Sequence, residues 1–249
     1  LSKCFTGGVQ KFGVKDYKIV GESIEHIKET EKLDFEAKDV KLNGLNGSNF
    51  LLQTTNYKLP TILPLPGVYH IYDALAAFAC AFHLNLPIRR LADALKTFSP
   101  AFGRVEQLPF GYIFLIKNPA GATQVFETIA PVLKSQDRLL LALNDNIADG
   151  RDVSWIWDAN FENLKSLFSS ENLRQQTISN VKCFASGIRA NDMAVRLKYA
   201  GIDPKEITIE ADLQKALKEA RQGLKGCLFI LPTYTAMLEL QSILTKIGL

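Results

Sequence analysis

Four aspartates and an arginine follow one short apolar run near the middle of the chain. The run extends from Leu139 to Leu143, and the polar string after it reads NDNIADGRDVSWIWD. An uninterrupted apolar run of this length is typical of a buried parallel strand, and open α/β sheets bind their ligands beyond the carboxyl ends of such strands. Capping of a helix that begins near Ser154 would account for only one or two of these residues. We therefore expect this loop to carry chemistry.

The carboxylates of the loop could act in two ways. Two or more of them could bind Mg²⁺, with waters and substrate phosphates completing the coordination shell. One of them could instead orient a histidine and fix its tautomer, as the third member of a nucleophilic triad. The chain has three histidines, His26, His70 and His83, and all of them lie well before this loop, with no candidate nucleophile nearby. A histidine served by the loop would therefore belong to another polypeptide.

The composition excludes several classes of protein. The chain has 249 residues, of which 47% are hydrophobic and 22% are charged, as in a globular protein. The formal net charge of +3 comes without a basic stripe, so no nucleic acid is expected as a partner. No signal peptide and no transmembrane segment can be recognised, which favours a cytoplasmic location.

Two further absences in the sequence concern cofactors. The four cysteines are scattered singly, which is unlike a metal site or a disulfide framework. Neither a GxGxxG nor a GxxxxGK[ST] string occurs, so the chain lacks a complete phosphate-binding loop.

The pattern of the chain changes near residue 100. Up to Pro64 the residues alternate with period two around two Asn-Gly pairs, which predicts a small antiparallel section, and two helices follow it. The stretch from Ser99 to Arg104 has the Pro and Gly of a linker. Beyond it, strands alternate with helices, which predicts an α/β domain that is Rossmann-like, with a mainly parallel sheet covered on both faces. The predicted strands span residues 112–116, 139–143, 181–185, 207–209 and 227–231, and the predicted helices span residues 122–133, 154–168, 191–200, 212–221 and 236–247.

Three smaller groups of residues could bind a ligand. They are Lys117 with Asn118, Arg104, and His70 with Asp73. The first group could hold a substrate or partner, but its spacing favours a plain strand-to-helix turn. The arginine could grip a phosphate with its planar fork or pair with Glu106 on the surface, and the sequence leaves these alternatives even. The third group opens a helix whose N-terminus could bind an anion, although capping is the simpler interpretation.

The string LALNDNIADGRDVSWIWDANFE closely resembles the signature of the C-terminal domain of the MurT family. These are Mur-ligase-like subunits of lipid II isoglutaminyl synthase. Further strings agree with the family and fall in the right order: YHIYDALAAFA, FGRVE, KNPAG, SGIRANDMAVRLKYAG and LPTYTAML. The resemblance runs from about Pro66 to the C-terminus. It implies that residues 1–103 are the C-terminal portion of a Mur ligase central domain and that residues 104–249 are the MurT-type Rossmann-like domain.

The resemblance also implies an activity and a partner. Members of the family use ATP to activate the α-carboxyl of D-glutamate in the stem peptide of lipid II, a membrane-anchored substrate, and ammonia converts it to D-isoglutamine. The ammonia comes from glutamine through a GatD-type glutaminase subunit, which has its own Cys and His. The family's trans-acting Asp, which completes that triad, corresponds to Asp152. The supporting loop residues would be Asn144, Asp145, Asp149 and Arg151, with Trp155 and Trp157 as packing or docking aromatics.

Other positions match the family less closely. Arg104 falls where Mur ligases place an arginine near the phosphates of ATP. His70 and Asp73 replace asparagines that usually face the nucleotide, and the Cys-rich zinc ribbon common in MurT proteins is missing. The phosphate-binding loop and the residues for Mg²⁺ should precede Leu1, so the chain is expected to hold only half of the ATP site.

Two rival functions remain open. The chain could belong to an amino-acid-adding Mur or folylpolyglutamate-type ligase, in which the same loops bind an incoming amino acid. It could also be a non-catalytic module that docks a glutaminase.

Overall fold

The computed structural model describes residues 10–20, 23–26, 33–99, 104–167 and 181–248. The chain divides into two compact units, Leu1–Ser99 and Pro100–Leu249. In the part of the chain that is described, no helix is both long enough and apolar enough to cross a bilayer.

The described part of the N-terminal unit consists of short strands and two α-helices. Its elements are β1 (Phe12–Val14), β2 (Tyr17–Val20), β3 (Ser23–His26), β4 (Phe35–Leu42), β5 (Ser48–Gln53), β6 (Lys58–Leu63), α1 (Val68–His83) and α2 (Ile88–Leu95). Strands β4, β5 and β6 form the antiparallel section that the Asn-Gly pairs predicted, and both pairs lie in the single loop between β4 and β5. Strand β1 joins this sheet in parallel with β4, and β2 pairs with β3 in a separate hairpin. The helices cover the sheet through a core that includes Phe35, Leu52, Leu75 and Phe78.

The C-terminal unit is built around a sheet of six strands. Its elements are β7 (Arg104–Leu108), β8 (Gly111–Phe114), α3 (Pro119–Ile129), β9 (Arg138–Ala142), α4 (Trp155–Asp158), β10 (Lys182–Ser186), α5 (Ala190–Tyr199), β11 (Ile207–Ile209), α6 (Leu213–Arg221), β12 (Leu228–Pro232) and α7 (Tyr234–Lys246). The strand order is β11-β10-β9-β12-β8-β7, and every pairing is parallel except that of β7 with β8. The predicted α/β class with a mainly parallel sheet is confirmed.

Strand register decides which loops meet at the site. In the sheet, Ala142 at the end of β9 is level with Ser186 of β10 on one side and with Pro232 of β12 on the other. The central strand β9 is buried from Leu139 onward, because helices cover both faces of the sheet. The three loops that leave these strands therefore begin side by side at one edge.

The predicted helix over residues 154–168 is wrong in one respect. It is two short pieces, α4 and a 3₁₀ helix at Phe161–Leu167. The break lies at Ala159, whose backbone is extended, with ψ at 139°. The next amide, that of Asn160, donates to Thr123 Oγ1 at 3.0 Å, so a contact with α3 replaces a helical hydrogen bond.

The first strand of the sheet, β7, was not predicted. It begins at Arg104, which the sequence pattern assigned to a linker. A bulge separates Arg104 from Glu106, and Val105 between them has a φ of 67°. A β-branched residue rarely adopts that conformation, so no local pattern marks this segment as a strand.

Candidate functional site

Asn144 fixes the point at which the chain leaves β9. Its side chain is buried, and its Oδ1 accepts a hydrogen bond from the amide of Ile188 at 2.9 Å. Its Nδ2 donates to Thr235 Oγ1 at 3.0 Å, and its backbone amide donates to Thr233 Oγ1 at 3.0 Å. One residue thus ties the exits of β9, β10 and β12 together.

Gly187 allows this close approach. Its φ is +87°, and an added Cβ would lie 2.6 Å from both Asn144 Oδ1 and the carbonyl oxygen of Leu143. Those distances are shorter than van der Waals contact, and the positive φ already disfavours other residues. A glycine is therefore required where the β10 loop passes Asn144.

Asp149 is committed to the fold. Both of its carboxylate oxygens accept hydrogen bonds from Thr235 in the first turn of α7, one from the amide at 2.8 Å and one from the hydroxyl. Asn146 adds a bond from its Nδ2 to the same hydroxyl at 2.8 Å. The carboxylate therefore caps a helix from a distant loop, a favourable arrangement at the positive helix end.

Asp145 is committed more weakly. Its Oδ2 lies 3.6 Å from Arg189 Nη1, and both side chains are partly exposed. Arg189, which immediately precedes α5, also pairs with Asp192 of that helix, at 2.9 Å. Ion pairs of this kind contribute little in water.

Asp152 is the loop carboxylate that remains available. Its Oδ1 accepts the amide of Ser154 at 2.8 Å. The Ser154 side chain, and after it the Ser154 amide, lower the pKa of Asp152 below its usual value. Among the described residues no other group hydrogen-bonds to it, and its side chain is exposed. The carboxylate is thus held in place, kept ionised at neutral pH and open to solvent.

Arg196 is a residue of this region that the sequence analysis missed. It lies on α5 with only 3% of its surface exposed, and it binds the segment that follows Asp152. One signal in the sequence could have found it: Arg196 follows Met193 by three residues, so a charged side chain occupies the apolar face of an amphipathic helix.

Several apolar side chains are exposed on these same loops and helices. Trp157 is 51% exposed and meets Tyr199 edge to face at 5.6 Å, and Tyr199 is itself 70% exposed. Ile147 of the Asp loop and Ile188 of the β10 loop are also exposed. Trp155 is partly buried. Of the two tryptophans, Trp157 is the one presented to solvent.

The loop after β8 forms a strand-to-helix turn in the structure. Asn118 Oδ1 accepts the amide of Gly121 at 2.7 Å and so caps α3. Lys117 beside it is exposed, as is Arg151 in the Asp loop. In the described part of the chain, neither of these two side chains forms a hydrogen bond or an ion pair.

The candidate nucleotide residues lie elsewhere. In the N-terminal unit, His70 is 8% exposed, its Nδ1 lies 3.3 Å from Asp73 Oδ2, and its buried Nε2 has no hydrogen-bond partner among the described residues. An orphaned buried nitrogen at a helix start suits a polar ligand such as a nucleotide. Arg104 is the first residue of β7, and its side chain lies outside the described part. No group of three metal-binding side chains occurs in the described ranges.

Comparison with known sequences identifies relatives over most of the chain. The family model of the MurT ligase C-terminal domain matches residues 115–237. The chain is 34% identical, over 96% of its length, to subunit MurT of the glutamine-hydrolyzing lipid II isoglutaminyl synthase of Streptococcus pneumoniae, and it covers 51% of that protein. The MurT subunit of Staphylococcus aureus is 31% identical over 70% of this chain, which covers 38% of it. The chain thus spans about half, or less, of the length of these relatives.

Solved structures support the same fold. The UDP-N-acetylmuramate-alanine ligase MurC of Thermotoga maritima superposes with a TM-score of 0.61 over 88% of this chain and 46% of that chain, at 11% identity. A likeness at that identity concerns the fold alone. Residues 115–237 match the MurT ligase C-terminal domain, and the chain is similar to MurT subunits over almost its whole length.

Proposed function

We propose that the chain is part of the ligase subunit of an ATP-dependent, glutamine-hydrolysing amidotransferase. The reaction would amidate the α-carboxyl of D-glutamate in the stem peptide of lipid II, at the cytoplasmic face of the membrane that anchors this substrate. Similarity to subunits named for glutamine-hydrolysing lipid II isoglutaminyl synthase supports the assignment. One observation carries this chain's share of the chemistry: Asp152 is exposed and ionised, whereas Asp145 and Asp149 are paired within the chain.

Asp152 has no histidine partner in its own unit, and this indicates its role. A triad carboxylate accepts the Nδ1–H of a histidine, holds its tautomer and stabilises the imidazolium that forms during catalysis. The C-terminal unit has no histidine in its sequence. Asp152 would therefore complete the Cys-His pair of a GatD-type glutaminase subunit, whose histidine docks against the Asp loop.

The exposed apolar side chains support a protein partner on this face. Ile147 and Trp157 lie on either side of Asp152 in the sequence. Ile188 lies on the β10 loop that binds Asn144, and Tyr199 of α5 contacts Trp157. Tryptophan and tyrosine are enriched where interfaces bind most tightly. A glutaminase that reaches Asp152 would cover these side chains, and Lys117 and Arg151 remain as further polar contacts for a partner or substrate.

The ligase half of the reaction requires ATP and Mg²⁺. Within this chain His70, Asp73 and Arg104 would contact the nucleotide, and the buried, unpartnered Nε2 of His70 fits that role. The nucleotide would supply the activation of the carboxyl group.

Two measurements test the proposal on the full-length protein. The first is glutamine hydrolysis by the cognate glutaminase with and without this subunit, and the expected result is that hydrolysis requires the subunit. The second is product formation from the stem-peptide substrate and ATP when glutamine, free ammonia or an amino acid is supplied. Amidation with glutamine or ammonia supports the proposal. Addition of an amino acid, with hydrolysis indifferent to the subunit, would instead identify an amino-acid-adding ligase.

A further inference from the structure

We propose that Arg196 is a positioning residue for the trans-acting carboxylate: it clamps the segment behind Asp152 and so holds that carboxylate where a partner's histidine can reach it. The inference rests on the proposed function. According to this inference, a buried cation on α5, forty-four positions after Asp152 in the sequence, affects catalysis.

The contacts of Arg196 all converge on residues 156–162. Nε donates to the carbonyl of Ile156 at 2.8 Å, and Nη2 donates to the carbonyl of Ala159 at 2.9 Å. Nη1 and Nη2 also bind the two carboxylate oxygens of Glu162, each at 2.9 Å. Three successive parts of one short segment are thus bound by a single planar group.

Two aromatic rings complete the clamp. The guanidinium carbon lies 4.6 Å from the ring centroid of Phe161 and 5.4 Å from that of Trp157. Attraction between a cation and an aromatic face offsets part of the free energy lost when the guanidinium leaves water. The exposed Trp157 therefore rests on the same cation that binds the backbone beneath it.

A chain of hydrogen bonds connects this clamp to Asp152. Arg196 binds the carbonyl of Ile156, and the amide of Ile156 donates to the carbonyl of Val153 at 3.2 Å. The amide of the next residue, Ser154, donates to Asp152 Oδ1 at 2.8 Å. The turn that carries the carboxylate is therefore connected to Arg196 through one backbone hydrogen bond and one bond from a backbone amide to the Asp152 side chain.

Without this clamp, the segment has little structure of its own. Helix α4 has only four residues and no side-chain cap, and Ala159 leaves the helix with extended backbone. A helix of one turn is not stable by itself in water. The other end of the loop is fixed by Asn144 and Asp149. Without Arg196, this end would rely on the bond from Asn160 to Thr123 and on the packing of buried side chains such as Ile156 and Phe161, so the half that contains Asp152 would loosen.

The planar guanidinium of Arg196 makes lysine the informative substitution. A lysine keeps the positive charge but has a single nitrogen with no planar fork, so it can bind one carbonyl or the carboxylate but not all of them. Arg138 offers a matched control, because its Nη1 also binds backbone carbonyls, those of Ala220 and Gln222 at 2.8 Å, at the opposite end of β9.

The experiment compares Arg196→Lys with Arg138→Lys in the full-length protein. Glutamine hydrolysis is measured at saturating subunit, together with the dissociation constant of the glutaminase complex and the melting temperature. Arg196→Lys should lower kcat at saturation on the order of tenfold to a hundredfold, the scale of an ångström-sized misplacement of a catalytic group. Arg138→Lys should lower the melting temperature and leave kcat within about twofold of wild type, since it touches no part of the loop.

A milder variant covers the case in which Arg196→Lys does not fold. Glu162 is half exposed, and Arg196 lowers its pKa, so Glu162→Gln weakens the clamp without burying a new group. It should lower kcat in the same direction by a smaller factor. Wild-type kcat at saturation for both Arg196→Lys and Glu162→Gln would overturn the inference and leave Arg196 a purely structural residue. If Asp152→Asn instead left glutamine hydrolysis unchanged in the same assay, the proposed function itself would be refuted.

Discussion

The two ends of strand β9 differ in what their polar side chains do. At the amino end, the buried Asp137 accepts the amides of Lys134 at 2.7 Å and Cys227 at 2.8 Å, so both oxygens are used. At the carboxyl end, Asp152 is exposed, and its near neighbour Ser154 is its only hydrogen-bond partner among the described residues. One aspartate is fully occupied by the fold, and the other is held but left open to solvent.

The two ends also differ in how closely neighbouring atoms pack around them. Gly226 at the amino end has its would-be Cβ position 2.2 Å from Asp137 Oδ1, so that corner is packed against its neighbours. Gly150 in the Asp loop has no atom within 4 Å of that position. Asp137 in the closed corner stabilises the sheet, whereas Asp152 in the open loop is placed for something outside the chain.

The largest expected effect is at the closed end. Asp137→Ala should reduce the free energy of unfolding by about 2 kcal/mol, because two partly buried amides lose their acceptor, at roughly 1 kcal/mol each. Urea denaturation of this variant beside Asp152→Ala measures the contrast. Asp152→Ala should stay within about 0.5 kcal/mol of wild type. Equal losses in the two variants would refute the division between the ends.

An intermediate effect is expected at Asp149, which belongs to the open end but caps α7. Asp149→Ala should lower the free energy of unfolding by about 1 kcal/mol, the usual worth of a helix cap. Because the loop is also freed from Thr235, glutamine hydrolysis should fall in part. Thermal denaturation and the hydrolysis assay together measure both effects, and an effect on hydrolysis as severe as that of Asp152→Asn would mean that the two carboxylates share one role.

The smallest expected effect concerns pH. The Ser154 side chain lowers the pKa of Asp152, so Ser154→Ala should raise that pKa toward its usual value. The ionised form is the one that can accept a histidine N–H, and it is lost as the pH falls through the pKa. The acid limb of the kcat profile for glutamine hydrolysis should therefore move to higher pH in Ser154→Ala. An unmoved limb would show that Asp152 does not govern it.

Local patterns predicted most of the C-terminal fold. The apolar run at Leu139–Leu143 predicted β9 to within one residue, and Gly201, with a φ of 94°, follows the end of α5 as expected of a helix terminator. These features depend on neighbours in sequence. The strand β7 escaped notice because a bulge and the unusual conformation of Val105 interrupt its pattern.

The assignment of roles within the Asp loop depended on distant residues. Asp149 and Thr235 are 86 positions apart, and Arg196 binds Ile156 across 40 positions. No spacing rule connects such pairs, so the sequence could place Asp145, Asp149 and Asp152 in one loop without telling which of them the fold would use.

The most direct test of the account is a titration of the cognate glutaminase subunit with full-length wild-type protein and with Asp152→Asn, recording binding and glutamine hydrolysis in the same samples. The account predicts unchanged affinity and a collapse of hydrolysis by several orders of magnitude, because an amide in place of a triad carboxylate selects the wrong histidine tautomer. Hydrolysis at the wild-type rate in a complex that still forms would contradict it.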